Sequence, residues 1–403
     1  MNLSRPLSLL AFTLVALTCL APNSVLAQGK KPGVTYKYTL TDLLGFPDAD
    51  YNQSQGQFIT NRDGAGGSLI LGISYTGTAG TTPNHPSPAL WNIRADGTFP
   101  ETDPVDLGIP PFAREVRPSG INSAGFVVAR TGLANTQDAD GNWIFPSYVD
   151  LAGLGIRELP GSMDRNTEAW AINDAWTIVG TLAVATVDPK YPRGIKQEGA
   201  VWQVNLDLTV SQPLTLGDFW PSDINSYGVM AGTIDGYPAI GWLDGTTLNL
   251  KRMDPTPRFL GARVNALNDY PVEDPRLAIV GDSFSNEAGQ YDAADSDRGV
   301  VWRPYNAARP TTVLGTLGGM YSSARDVNRA EQIVGDSSGK RGGQFAFVYA
   351  NGTMTNLNAI AAMGDRNLQY AYAINDDGDI VGFMHVPRPT SEQRGFLLRP
   401  ITP

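Results

Sequence analysis

The chain has 403 residues, of which 30 are basic and 40 are acidic, and its formal net charge is −10 at pH 7. This balance argues against nucleic acid as a partner, because nucleic-acid-binding proteins depend on basic surfaces. After residue 27 no apolar run approaches the roughly 20 residues that a helical membrane span requires, so the sequence predicts a protein that does not cross a membrane.

Residues 1–27 have the pattern of a secretory signal peptide. Arg5 gives the segment its positive charge, residues 9–20 are largely apolar, and Val25-Leu26-Ala27 forms the cleavage site. The only cysteine of the chain, Cys19, lies inside the segment. We therefore expect cleavage near Ala27, secretion to the periplasm or the medium, and a mature protein without disulfides.

The mature chain, residues 28–403, keeps 29 basic and 40 acidic residues once Arg5 is removed, a balance of 11 negative charges. Its first strand-like segment is TYKYTLTDL, from Thr35. Seven repeat units follow. Each combines an apolar residue and an Asn with a short polar turn and then a Gly or another small residue. Repetition on this scale is typical of propellers and other repeat architectures.

The units differ in how well they keep the pattern. The first is stretched from Asn61 to Gly72, and the second has Ala129 where the others have Gly. The fifth is also stretched. An Asn at this place predicts an Asx turn, in which the side chain bonds to the backbone of a hairpin. The turn residues of units two to seven are Asn122, Asn173, Asn225, Asn268, Asn328 and Asn375.

Each unit also has an apolar run that usually ends in an aromatic residue, followed by a further short apolar segment, which makes four short strands per unit. Because the tight Asn turn closes a hairpin, the strand that ends in Asn is predicted to be the innermost. The aromatic ends are predicted to pack between neighbouring units. They are Trp91, Trp202, Trp242, Trp302 and Tyr349.

These features predict an all-β fold, a seven-bladed β-propeller with four-stranded blades, in one domain covering residues 28–403. Successive turn residues lie 43 to 61 positions apart, close to the roughly 40 to 50 residues of a propeller blade. The seventh unit lacks a fourth strand, and the segment from Thr35 is predicted to supply it and to close the ring. Six blades are the alternative, if the degenerate first unit forms none.

The stretch from Leu314 to Leu357 resembles the repeat of the HAF-repeat family of probable extracellular proteins. The resemblance covers all seven units, weakly in the first two. This sequence has Gln344 and Phe345 where the family pattern carries a His before its Ala-Phe pair. The resemblance implies a secreted repeat protein, and it brings no assigned activity.

The loops between second and third strands are long and varied, and in a propeller they share one face. That arrangement is typical of a scaffold with one binding face. The only histidines, His85 and His385, fall in such loops of the first and seventh units, which become neighbours when the ring closes. They are candidate acid/base groups or metal ligands, with two solvated loop residues as the alternative.

The loops from each fourth strand to the next inner strand reach the same face and carry further candidate ligand-binding residues. Arginines that converge on a pocket suit carboxylate or sulfate groups, although pairing with surface acids is the alternative for each of them. The candidates are Arg114, Arg165, Trp220, Arg258, Tyr321 and Arg366.

Two acidic loops are candidate calcium sites, because clustered oxygen ligands suit this ion. Neither has the complete spacing of an EF-hand, and solvated loops are the alternative. No cofactor is predicted, and calcium is the alternative. The candidate ligands are Asp138, Asp140 and Asn142 in the first loop, and Asp292, Asp295 and Asp297 in the second.

Two functions are consistent with these features of the sequence. The first is a monomeric, non-catalytic module that binds an extracellular glycan or protein, because no catalytic motif stands out. The alternative is a polysaccharide lyase or hydrolase, for instance one in which a His or Tyr abstracts a proton beside a uronate carboxylate held by Arg. Fold class does not decide between them, since propellers host both functions.

Overall fold

The computed structural model describes residues 37–46, 53–76, 85–100, 104–134, 137, 143, 145–161, 166–192, 194–254, 261–284, 297–362, 364–387 and 392–401. These residues form seven antiparallel sheets of four strands each. Among them, no helical segment has the length and hydrophobicity of a membrane span.

The strands follow one another blade by blade. The N-terminal strand and blades one to three contain β1 (Tyr38–Leu43), β2 (Ser54–Ile59), β3 (Ser68–Thr76), β4 (His85–Ile93), β5 (Val105–Asp106), β6 (Ala113–Ile121), β7 (Phe126–Ala134), β8 (Ser147–Leu151), β9 (Ile156–Glu158), β10 (Thr167–Ile172), β11 (Thr177–Ala185), β12 (Ile195–Gln203) and β13 (Leu214–Thr215).

Blades four to seven contain β14 (Phe219–Ile224), β15 (Met230–Ile234), β16 (Tyr237–Asp244), β17 (Thr247–Arg252), β18 (Gly261–Leu267), β19 (Ile279–Phe284), β20 (Arg298–Trp302), β21 (Thr311–Val313), β22 (Gly318–Val327), β23 (Ile333–Gly339), β24 (Gln344–Ala350), β25 (Thr353–Asn356), a short helix α1 (Leu357–Ile360), β26 (Asn367–Ile374), β27 (Ile380–Val386) and β28 (Glu392–Pro400).

The seven sheets form a closed ring, and the strand that ends in the turn residue is innermost. Each first strand of a blade contacts the first strands of both neighbouring blades, and β26 of blade seven contacts β2 of blade one. The prediction of a seven-bladed β-propeller is therefore confirmed. The six-blade alternative is wrong, because the degenerate first unit forms its own sheet, β2 to β5.

The N-terminal strand completes blade seven, as predicted. β1 pairs antiparallel with β28 along its whole length. Leu43 of β1 is fully buried in an apolar cluster with Val381 and Leu397 of blade seven and Trp91 of blade one. The first and last described strands are thus held in one sheet, and β28 is not left as an open edge.

Large aromatic side chains fill the spaces between blades, as the sequence predicted for Trp91, Trp202 and Trp302. Trp202 of blade three is fully buried among Phe126, Val149 and Leu151 of blade two. Its indole nitrogen donates to the carbonyl of Pro160 at 2.8 Å. A fully buried side chain of this size contributes about 2 to 3 kcal/mol through the hydrophobic effect.

Trp242 does not occupy the equivalent place in blade four. In blades three and five the tryptophan pairs with the second strand two residues before the repeat glycine, whereas in blade four Gly241 takes that position, opposite Met230. Trp242 is one residue further on, so its side chain lies on the other face of the sheet. There it is only partly buried, against the cluster that joins blades four and five.

Each repeat Asn holds its own turn, and all of them except Asn268 also link their blade to the next one. The side-chain oxygen of Asn225 accepts hydrogen bonds from the backbone N–H groups of Tyr227 and Val229, at 3.1 and 3.0 Å. Its side-chain nitrogen donates to the carbonyls of Asn268 and Tyr270 of blade five, at 3.1 and 2.8 Å. The repeated residue therefore satisfies buried backbone groups on both sides of a blade boundary.

The same link to the next blade recurs at Asn122, Asn173, Asn328 and Asn375. Asn268 instead donates to Arg276 within its own stretched turn. In blade one the equivalent residue is Thr60, whose hydroxyl accepts from the N–H of Leu69, so the prediction that Asn61 holds this position is wrong. Asn61 is one residue later and bonds to Asp376 of blade seven.

We expect Asn225→Ala to lower the free energy of unfolding by about 2 to 3 kcal/mol, because buried backbone donors and acceptors lose their partners. Urea denaturation would measure the change. Asn205→Ala is the matched control, since Asn205 is exposed and its side chain bonds only to Thr209 of its own turn. Equal loss in the two variants would contradict a linking role for Asn225.

Candidate functional site

Every inner strand carries a β-bulge in the same place, three residues before its turn residue. The register slips by one residue in all seven blades, for example between Ala324 and Asp326 in β22. A bulge re-aims the side chain of the extra residue and is frequent beside functional sites. The extra residues, here called the bulge ring, are Gln57, Ser119, Trp170, Ser222, Asn265, Arg325 and Tyr372.

In six blades a glycine follows the turn and allows a close approach of the inner strand, whereas blade two has Ala129 at this position and also has the bulge. A Cβ atom on Gly335 would lie 1.9 Å from the carbonyl oxygen of Ser323 in the inner strand, and the same close approach holds for Gly180 and Gly281. A side chain at these positions would therefore push the inner strand away. The constant part of the repeat fixes the backbone, and the bulge ring varies from blade to blade.

The bulge residue of blade six, Arg325, lies at the centre of the most elaborate polar cluster. Its Nε donates to Asp336 Oδ1 at 2.5 Å. Asp336 is fully buried and also accepts a hydrogen bond from Gln344 Nε2. Burial raises the pKa of Asp336, and the Arg325 charge opposes that rise. The buried Asp336 carboxylate therefore holds the Arg325 guanidinium in one orientation.

Aromatic rings of blade seven flank the same guanidinium. Arg325 Cζ lies 4.9 Å from the ring centre of Tyr372, the bulge residue of blade seven, and 5.4 Å from that of Tyr370. Tyr370 stacks on Phe383 with 4.7 Å between ring centres and on Tyr372 with 6.0 Å. Tyr370 and Tyr372 are partly exposed. They form an aromatic surface next to a cation.

The guanidinium retains unused donors. The Arg325 side chain is 28% exposed, and Nη1 and Nη2 have no hydrogen bond to any residue in the described part of the chain. An arginine held at Nε by a buried carboxylate presents these two terminal nitrogens as a fork suited to a carboxylate, sulfate or phosphate group. The site can therefore bind an anion beside an aromatic surface.

A second buried acid, Asp282 of β19, is near enough for the Arg325 charge to affect its pKa. Arg263 Nη2 is 3.1 Å from Asp282 Oδ2, and Oδ1 has no hydrogen-bond partner among the described residues. Burial raises the pKa of Asp282 to about 6, and Arg263 and Arg325 oppose the rise. Tyr321 is close enough for Asp336 and Asp282 to raise the pKa of its phenol, after burial as the main cause.

The structure places the predicted binding residues in different surroundings. Tyr321 lies in the Arg325 cluster. Arg114 is exposed in β6, and Trp220 is 48% exposed at the start of β14. Arg366 Nη2 is 2.9 Å from Asp42 Oδ2, where it ties blade seven to the N-terminal strand. Arg165 and Arg258 lie outside the described residues.

The prediction that the two histidines lie in loops is wrong, because both belong to strands, in blades one and seven. His85 begins β4, and His385 is partly buried near the end of β27, opposite Asn367 and Gln393 in neighbouring strands. Whether their side chains meet stays a prediction. Of the candidate calcium ligands, Asp297 is described, while Asp138, Asp140, Asn142, Asp292 and Asp295 fall outside the described residues.

Sequence reasoning missed the residues that make this cluster. Arg325, Tyr372 and Trp170 lie three positions before the turn residues of their units, and Asp336 lies one position after a repeat glycine. The available signal was the variation of residue type at a fixed offset inside a constant phrase. A bulge itself cannot be read from such a phrase, because it is a property of strand pairing.

Comparisons with known proteins add the following. No family model matches the chain, and no curated protein matches it. A glycosyl hydrolase from Bacteroides ovatus superposes with a TM-score of 0.33 and 10% identity, covering 75% of this chain and 86% of its own. The complex of NanB with Optactamide gives 0.42 and 9%, covering 91% and 70%. TolB from Acinetobacter baumannii gives 0.35 and 12%, covering 81% and 79%.

These similarities are too low to support an argument about function. The fold assignment rests on the strand pairing described above. The resemblance to HAF-repeat proteins stays a prediction.

Proposed function

We propose that this protein is a secreted, non-catalytic propeller that binds an acidic extracellular glycan at the bulge ring. The observation that carries the proposal is Arg325, whose guanidinium is fixed by Asp336 and by aromatic rings while its two terminal nitrogens lack partners among the described residues. Secretion is the expectation from residues 1–27.

The chemistry of the cluster favours a uronic acid as the recognised unit. A fork of two N–H donors pairs with a carboxylate in a bidentate manner. The partly exposed rings of Tyr370 and Tyr372 offer an apolar surface on which the C–H face of a sugar ring can pack. A uronate residue has both groups in one unit. Because Asp336 holds the guanidinium in place beforehand, little side-chain freedom is lost on binding.

The environment of the acids and of Tyr321 weighs against the alternative of a lyase or hydrolase. Asp282 and Asp336 are 1% and 0% exposed, so neither reaches a bound substrate directly. The raised pKa of Tyr321 keeps its phenol protonated at neutral pH, whereas proton abstraction needs a group that is deprotonated. The cluster is therefore better suited to holding an anion than to moving a proton.

We expect Arg325→Gln, in protein lacking residues 1–27, to weaken binding of oligogalacturonate or oligoglucuronate by about 10- to 100-fold, because a charge-assisted hydrogen bond contributes about 1.5 to 3 kcal/mol. Neutral oligosaccharides of the same length should bind weakly to both proteins. Isothermal titration calorimetry measures the affinities. Arg309→Gln is the control, since Arg309 is exposed in the connection between β20 and β21 of blade five.

Two outcomes would contradict the proposal. Equal affinity of the Arg325→Gln and Arg309→Gln variants for acidic oligosaccharides would remove Arg325 from the site. Release of unsaturated sugar ends from the polymer, absent in His85→Ala or His385→Ala, would establish the enzyme instead.

A further inference from the structure

A second arginine at the inner edge of the ring has no hydrogen-bond or ion-pair partner among the described residues. Arg130 follows the small residue Ala129 in β7 of blade two, the same place that Asp282 and Asp336 occupy in their blades. It is partly buried, and its buried Nε atom is unsatisfied within the described part of the chain.

An aromatic bulge residue again lies against the cation. Arg130 Cζ is 4.1 Å from the ring centre of Trp170, the bulge residue of blade three. Burial lowers the pKa of Arg130, the neighbouring Glu168 charge opposes this, and the nearby Arg117 charge adds to it. The Glu168 carboxylate accepts a hydrogen bond from the hydroxyl of Thr181, at 3.5 Å. A partly buried cation beside a second cation is costly without an anion to compensate it.

Between the two arginines, blades seven, one and two carry titratable side chains whose charges act on one another. Tyr372, which flanks Arg325, lies near enough to Tyr75 of blade one for the Tyr75 phenol to raise its pKa. The pKa of Tyr75 is in turn raised by Glu115 of blade two, after burial as the main cause. The Glu115 carboxylate is 3.0 Å from Arg117 Nε. A ligand that contacts both arginines has to extend across these blades.

We infer that Arg130 and Trp170 form a second anion subsite, so that the bulge ring binds an oligosaccharide bearing at least two acidic groups and not a single acidic sugar. This inference rests on the proposed function of the Arg325 cluster. The two arginine sites share one design, a cation from one blade against an aromatic bulge residue of the next blade.

The test compares galacturonate or glucuronate monomers with their oligomers of increasing length, by titration calorimetry, on unaltered protein and on Arg130→Gln, Arg325→Gln and Arg309→Gln variants. We expect affinity to rise with length until both subsites are filled. Arg130→Gln should remove that gain, about tenfold or more, and leave the affinity for the monomer unchanged. Arg325→Gln should weaken both. Arg309→Gln, a control at an exposed arginine of blade five, should have little effect.

The outcomes separate the inference from the proposed function. If the monomer and the oligomers bind equally, or if Arg130→Gln does not reduce the gain with length, the second subsite is wrong while the Arg325 site stands. If neither the monomer nor any oligomer binds, the proposed function fails and the inference fails with it.

Thermal unfolding without ligand gives a further readout. Removal of a partly buried charge that has no hydrogen-bond partner among the described residues should leave the melting temperature of Arg130→Gln unchanged or raise it. A clear fall in that temperature would assign Arg130 to folding and overturn the subsite.

Discussion

A chain that lacks residues 28–45 is expected to lose its cooperative unfolding transition and to aggregate. This deletion removes β1, and with it the buried side chains of Tyr38 and Leu43. It also removes Asp42 from its ion pairs with Arg366 and Arg394. At about 1.5 to 3 kcal/mol for each large buried side chain, the loss approaches the 5 to 15 kcal/mol that stabilises a typical domain.

The exposed edge of β28 adds to this effect, because an unpaired strand recruits strands of other chains. Circular dichroism melting and size-exclusion chromatography would measure both consequences. A synthetic peptide of residues 35–46, added during refolding, should restore monomeric protein by pairing with β28. A deleted protein that stays monomeric with an unchanged melting temperature would contradict the role of β1 in closing the ring.

Single substitutions test the same role of β1 with a smaller expected loss of stability. Leu43→Ala should lower the free energy of unfolding by about 2 to 5 kcal/mol, because the fully buried side chain leaves a cavity between blades seven and one. Leu44→Ala is the control, since Leu44 is 49% exposed and its substitution should change the stability by less than about 0.5 kcal/mol.

The folded protein is expected to be more stable at pH 5 than at pH 8, by an amount on the order of 3 kcal/mol. Two acids two residues before the turn residues of blades four and six accept backbone hydrogen bonds from the next blade, Asp223 from Leu267 and Asp326 from Ile374. Burial raises the pKa of Asp223 to about 6 and that of Asp326 to about 7, and the Asp223 and Asp376 charges raise the pKa of Asp326 further.

The direction follows from proton binding. These carboxyls hold a proton more tightly in the folded state than in the unfolded state, where the pKa is near 3.8. Their contribution to stability is therefore complete below about pH 4 and is lost as the pH rises through 6 and 7. Asp282 acts in the same sense, with a pKa of about 6.

Urea denaturation at pH 5 and pH 8 checks this prediction. Asp326→Asn should reduce the difference between the two pH values, because an amide cannot ionise. Asp207→Asn should leave it unchanged, since Asp207 is exposed and its bonds to Thr209 lower its pKa. A protein that is more stable at pH 8 would show that these carboxyls are solvated in the folded state.

The architecture could be predicted because its constraints are local and recur along the chain. An Asn that closes a hairpin and a Gly that allows close approach are both visible in the sequence. Their recurrence at blade spacing indicates a ring of blades. The closing strand could be predicted as well, since the seventh unit lacks a fourth strand and the segment from Thr35 resembles one.

Positions that depend on the register of strand pairing could not be predicted in the same way. Trp242 and Gly241 differ by one residue, and a shift of one residue exchanges the two faces of a strand. Thr60 replaces the turn Asn through its hydroxyl, which a search for Asn does not find. The roles proposed for Arg325 and Arg130 depend on the bulges, because in each case an aromatic bulge residue of the next blade lies against the guanidinium.

Because of the bulge, the residues that set the backbone and the residues proposed to contact a ligand are at different positions of each unit. The repeat glycine and the turn Asn set the backbone, and each bulge residue is attached to that backbone without being part of the hydrophobic core. Exchanging one bulge residue should therefore alter what the ring recognises at one point of its circumference while the other six points and the fold persist. Relatives of this protein could thus acquire new ligands one blade at a time.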